Sequence, residues 1–117
     1  MWPNLLAACM NQDQIIDYIE QFWETDIIDR LAEYIKTPNK SPMFDTDWQT
    51  NGHMREAMTH VMDWVAEQRI PGLEMALHQL PDRTPTLSLG YLGEQLGTVL
   101  IYDHLDKQSE AAVGLKD

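Results

Sequence analysis

The apolar residues of this chain change their spacing partway along it, and that change of period limits the folds open to it. Across residues 13 to 36, Ile16, Ile19, Trp23, Ile27, Leu31 and Tyr34 recur at intervals of three and four, the repeat of one face of an α-helix. Residues 51 to 68 repeat the pattern with Met54, Ala57, Met58, Val61, Met62 and Val65. Beyond Ile70-Pro71-Gly72 the period falls to two. Leu73, Met75 and Leu77 alternate with Glu74, Ala76 and His78 across residues 73 to 80, and Leu87, Leu89 and Tyr91 alternate across residues 86 to 91. Alternation of this kind predicts strands with one covered face. A third strand is predicted at Thr98-Val99-Leu100-Ile101-Tyr102, a β-branched, aliphatic and aromatic run just after Gly97. Helix, helix, strand, strand, strand is an α/β order.

Local signals divide these elements. Thr25-Asp26 would serve as an N-cap and split the first helical stretch. Pro38 bounds it, because the proline ring disfavours helical geometry in the residue before it. Residues 37 to 48 form a loop rich in prolines and turn formers, Pro81-Asp82-Arg83-Thr84-Pro85 a turn, and Gly93 to Gly97 a second loop. The aromatic stripe of the first helix reads as core packing. His53 and His60, seven residues apart on the second helix, could suggest a metal pair. Ligation from one helix more often uses a closer spacing, so they read as packing histidines. The methionines read as adaptable core filler.

The 117 residues suffice for one small domain at most. Nineteen acidic against eight basic side chains give a net charge of −11, a field that repels nucleic acid and anionic membranes. Cys9 is the single cysteine, so no intrachain disulfide forms, which fits a reducing compartment. Residues 1 to 10 are mildly apolar but carry no basic residue ahead of the apolar part, unlike a secretory leader, and no later run approaches membrane-spanning length. A cytoplasmic protein is expected.

Chemistry concentrates after the predicted third strand, in Asp103-His104-Leu105-Asp106. Ligand crevices in open α/β sheets lie at the carboxyl ends of strands. In an extended backbone alternate residues share a face, so His104 and Asp106 can act on one centre, or the carboxylate can orient the imidazole. Taken alone, His-x-Asp also fits a solvated turn.

The run Thr-Val-Leu-Ile-Tyr-x-His-Leu-Asp-Lys-Gln, residues 98 to 108, resembles the first metal-ligand motif of the di-zinc peptidases that include carnosinases, aminoacylases and succinyl-diaminopimelate desuccinylases. The resemblance extends upstream. Glu33-Tyr34-Ile35, Pro38-Asn39, Ser41-Pro42, Phe44-Asp45 and Trp48 look like the opening segment of the carnosinase-type branch, and Arg83-Thr84-Pro85 matches the connection before the family's second strand. The resemblance implies a zinc ligand at His104 and, as the catalytic-site carboxylate, Asp106 supporting that imidazole. In the complete family site a carboxylate bridges two zinc ions, further carboxylates and a His complete the shells, and a Glu deprotonates the attacking water.

Thirteen residues follow His104, with Asp106, Glu110 and Asp117 the acids among them. One His with a supporting Asp falls short of the three protein ligands of a catalytic zinc. The chain is therefore expected to be the N-terminal part of a zinc-peptidase catalytic domain, the remainder of that domain and the dimerisation domain being absent. Three positions depart from the family's usual pattern: Asp103 stands where Gly precedes the metal His, Ser109 replaces Pro, and Leu115 follows Gly114 where the branch tends to have Trp.

The expected function is thus that of a fragment of an exopeptidase or dipeptidase hydrolysing peptide or N-acyl amino acid bonds. It carries the first metal-ligand motif and is inactive alone. The parent would be a homodimer and the fragment prone to self-association through an unpaired strand edge. The alternative is a small acidic non-catalytic binding or assembly module. A metallo-β-lactamase type of site requires His-x-His-x-Asp-His, and Asp103-His104-Leu105-Asp106 lacks the other histidines.

Overall fold

The computed structural model describes residues 11 to 94 and 96 to 110. The first helix begins at a reciprocal cap. The Gln14 N–H donates to Asn11 Oδ1 at 2.9 Å while the Asn11 N–H donates to Gln14 Oε1 at 3.0 Å, two amide donors that a bare helix end would leave unmet. Helix α1 (Gln12–Phe22) passes through a π-helical turn (Trp23–Ile27) into α2 (Ile28–Lys36). The expected cap at Thr25-Asp26 does not form, because both side chains take other partners. Thr25 Oγ1 donates to the Gln21 carbonyl at 2.8 Å, and Asp26 Oδ2 accepts from Trp64 Nε1 at 2.9 Å. The irregularity is a widened turn inside a continuous helical path. Thr37, extended at ψ 119°, ends α2 just before Pro38.

Helix α3 (His53–Glu67) follows Gly52, whose φ of 82° lies in the left-handed region that favours glycine. It lies against α2. His60 Nε2 meets the Arg30 carbonyl at 3.2 Å, so that nitrogen carries the proton and donates. Arg30 also reaches Glu67 at 2.6 Å, an exposed pair whose contribution is at most about 1 kcal/mol. Met54, Ala57, Met58 and Val65 of α3 are the buried apolar residues among those described. The core therefore lies along one face of α3, at positions the three-and-four spacing predicts.

The chain leaves α3 through Arg69 at φ 50° and Gly72 at φ 79° and enters a hairpin. Strands β1 (Leu73–His78) and β2 (Thr86–Tyr91) pair antiparallel in a two-stranded sheet, in register from Leu73 opposite Tyr91 to His78 opposite Thr86. Met75 faces Leu89 and Leu77 faces Leu87, so the apolar sets of both strands share one face. Helices and a two-stranded sheet together make a small mixed α/β fold.

The predicted third strand is absent. Residues 98 to 102 have no ladder partner among the described residues, and Val99, Leu100, Ile101 and Tyr102 are between 78% and 88% exposed. A β-prone sequence becomes a strand only where another strand offers its free edge. Past Gly97, at φ 104°, the chain instead turns toward the helical layer and makes an isolated bridge between Lys107 and Lys40. Among the described residues no helix is long and apolar enough to cross a membrane. The N-terminal apolar stretch and Leu115 lie outside the described residues.

A Cβ at Gly52 would meet no atom within 4 Å, so the strain of a substitution there would be conformational alone. Gly52→Ala is expected to lower stability by about 1 kcal/mol in urea denaturation. Gly93→Ala, at a loop glycine without positive φ, is expected to leave stability unchanged or slightly raised.

Candidate functional site

Three loop residues and one helix end hold the segment that contains His104. The Lys107 ammonium donates to the carbonyls of Tyr34 at 2.9 Å and Thr37 at 2.6 Å and to Asn39 Oδ1. Its nitrogen also sits 3.8 Å from the Tyr34 ring centroid. Three acceptors match the three protons of an ammonium, and two of them lie at the C-terminal end of α2, where the helix dipole favours a cation. The backbone completes the joint. The Lys107 N–H donates to the Asn39 carbonyl at 3.0 Å and the Ser41 N–H to the Lys107 carbonyl at 2.8 Å. One residue earlier in the chain than Asp106, the Leu105 carbonyl accepts from the Tyr34 hydroxyl and, at 2.9 Å, from Asn39 Nδ2. Asn39 is 1% exposed; its amide side chain is buried because both of its ends are satisfied.

On this joint stands the pair singled out in the sequence. His104 Nδ1 lies 3.3 Å from Asp106 Oδ1, so the alternation that predicts a shared face is met without a strand around it. The other ring nitrogen, Nε2, lies 3.2 Å from the Tyr102 hydroxyl, and the two rings meet edge-on with centroids 5.3 Å apart. The His104 side chain is 69% exposed and that of Asp106 27%. Asp103 Oδ1 accepts the His104 N–H at 2.8 Å. Asp103 is not among the residues with positive φ, so the backbone before His104 here does not require the glycine that the family usually carries.

Burial pushes the Tyr34 phenol above its ordinary value of 10.0, the Asn39 hydrogen bond opposes that shift, and the nearby charges of Asp106 and Asp103 add to it. The folded state thus holds this proton more tightly than the unfolded chain. The resulting stability is present below pH 10 and is lost as pH rises through the raised folded value. Burial holds Lys107 below the usual lysine range, with Glu56 acting in the opposite direction. Its charge therefore costs the folded state some stability at neutral pH, a cost relieved as pH rises toward 10.5.

As a metal ligand set the pair fits one position. A carboxylate on Nδ1 fixes the tautomer that puts the lone pair on Nε2, the nitrogen that meets the Tyr102 hydroxyl. Among the described residues no group of three or more His, Cys, Asp and Glu side chains is placed to hold a metal ion. His60 is turned to a backbone carbonyl, and His53 Nδ1 lies 3.9 Å from Glu56 with no hydrogen bond. With the third strand goes the argument that placed His104 at a strand end. Lys107, Tyr34 and Asn39 appear in the sequence only as motif letters. The available signal was the pairing of an Asn after Pro38 with a Lys three residues past the His, and it has no local geometry to reveal it. The chain matches no protein-family model and no curated protein.

Replacing Lys107 by Met keeps the side chain's length and removes its donors. Lys107→Met is expected to lower the unfolding free energy by about 1–3 kcal/mol, measured by denaturation at pH 7, because buried acceptors lose their partner. Tyrosinate absorbance titrated to high pH should contain a component above pH 10 that disappears in Tyr34→Phe. An unchanged titration curve in that variant would contradict the assignment.

Proposed function

We propose that the chain is the N-terminal part of the catalytic domain of a cytoplasmic zinc-dependent exopeptidase or dipeptidase. His104 is the first zinc ligand and Asp106 the carboxylate that orients it. The observation that supports this reading most is the 3.3 Å contact between His104 Nδ1 and Asp106 Oδ1, on a segment tied by Lys107 to the Pro38-Asn39 loop. The two stretches that carry the family resemblance, far apart in sequence, are thereby brought together. Zinc, when bound in a two-metal site, polarises the scissile carbonyl and supplies hydroxide at neutral pH. The part taken by this chain is narrower. Asp106 keeps the proton on Nδ1, and Nε2, which meets the Tyr102 hydroxyl at 3.2 Å, is the nitrogen that would hold the zinc.

With one imidazole at this site, the chain by itself binds zinc weakly and does not hydrolyse peptide or N-acyl amino acid substrates. The remaining donors belong to the rest of the catalytic domain, and the parent enzyme is a homodimer. The exposed run from Val99 to Tyr102 is the strand that this remainder would pair. In its absence the run drives self-association. The competing reading, an acidic binding or assembly module, draws on the net charge of −11 and the same exposed run, and it predicts no role for His104.

Long-range ¹H–¹⁵N spectra of the histidine rings during zinc titration test the assignment. Weak binding that shifts His104 Nε2 first and is lost in His104→Ala is expected. Tight stoichiometric binding retained in that variant would overturn it. In sedimentation velocity, Leu100→Lys with Ile101→Lys should suppress a concentration-dependent association, whereas a monodisperse wild-type monomer would remove the paired-strand argument.

A further inference from the structure

A cleft of about 430 Å³ opens between α3, the preceding loop and the turn of the hairpin. That volume is within the range of small-ligand sites. Its apolar lining comes from Trp48, Met54, Met58 and Met62, with Met54 and Met58 buried. Its charged lining is Arg55, Arg83 and Asp82, a positive balance in a chain whose overall charge is −11.

Both arginines are open to a ligand in the cleft. Arg30, Lys36 and Lys40 each pair with a carboxylate. Arg55 and Arg83, both exposed, have no ion-pair partner among the described residues, as is also the case for Arg69 outside the cleft, and what sets the two apart is that they border one methionine-lined hollow. Asp82, which shares the cleft, accepts from Gln49 Nε2 at 3.2 Å rather than from either arginine. That bond also ties the hairpin turn to the loop ahead of α3 and holds the two arginine-bearing elements around the cleft. Two guanidinium groups at the edge of a methionine-lined hollow suit a ligand with an anionic head and an apolar body, and a planar guanidinium binds carboxylate through paired hydrogen bonds.

We propose that this cleft is a binding site for a small apolar carboxylate, with Arg55 and Arg83 on the carboxylate and Met54, Met58 and Met62 against its hydrocarbon or aromatic part. The site shares no residue with the His104 segment and stands whether or not that segment binds zinc.

Protein labelled with ¹³C at the methionine methyls, titrated with N-acetylphenylalanine and in parallel with its uncharged amide, tests this. The acid should shift Met54, Met58 and Met62 and leave Met43 and Met75 in place, and the amide should bind at least about tenfold more weakly. Arg55→Gln and Arg83→Gln should each weaken the acid by a similar factor, while Arg69→Gln, outside the cleft, should not. Equal binding of acid and amide to the wild-type protein would overturn the proposal without any variant. So would shifts at Met43 or Met75 alone, or equal loss in Arg69→Gln.

Discussion

The ammonium of Lys107 is the interaction on which the placement of the candidate site depends. It draws a segment from near the end of the described chain onto the C-terminal end of α2, where it donates to the Thr37 carbonyl and to the Tyr34 carbonyl, which also accepts the Thr37 N–H. Around it the Leu105 carbonyl accepts from Asn39, the Ser41 N–H donates to the Lys107 carbonyl, and Asn39 itself is closed to water. His104 and Asp106 are held by their neighbours in sequence, not by a sheet. Their geometry is thus a consequence of a polar joint in a protein whose apolar core is small.

That core explains why the joint matters. Burial of apolar side chains is confined, among the described residues, to one face of α3. The stripe of α1 and α2 remains partly open, with Ile19 at 54% and Leu31 at 41% exposure. Hydrophobic burial is the main favourable term in folding. Where it is sparse, hydrogen bonds to buried groups and chain-end anchoring take a larger share of what keeps distant segments together. The hairpin contributes a ladder but covers little, since Leu77, Leu89 and Tyr91 are also exposed.

Periodicity in the sequence revealed what depends on near neighbours. The spacing of Met54, Ala57, Met58 and Val65 anticipated the buried face of α3, and the alternation of Leu73, Met75 and Leu77 anticipated β1. Two features escaped it. The π-helical turn at Trp23–Ile27 reflects partners of Asp26 on another helix, which no local cap signal encodes. The run from Thr98 to Tyr102 has every local property of a strand and lacks the one non-local property, a neighbouring edge. His104 and Asp106 were legible because two residues apart is a local relation. The lysine that positions them was not, because its acceptors lie about seventy residues away in sequence.

Amide hydrogen exchange at Lys107 and Ser41 reads this joint directly. Both N–H groups donate across it, to Asn39 and to Lys107 respectively, and neither belongs to a regular helix or strand whose own stability could protect it. Protection of both amides comparable to that of the α3 interior is the result this account predicts. Exchange of either at the rate of an unstructured peptide, with α3 still protected, would contradict it.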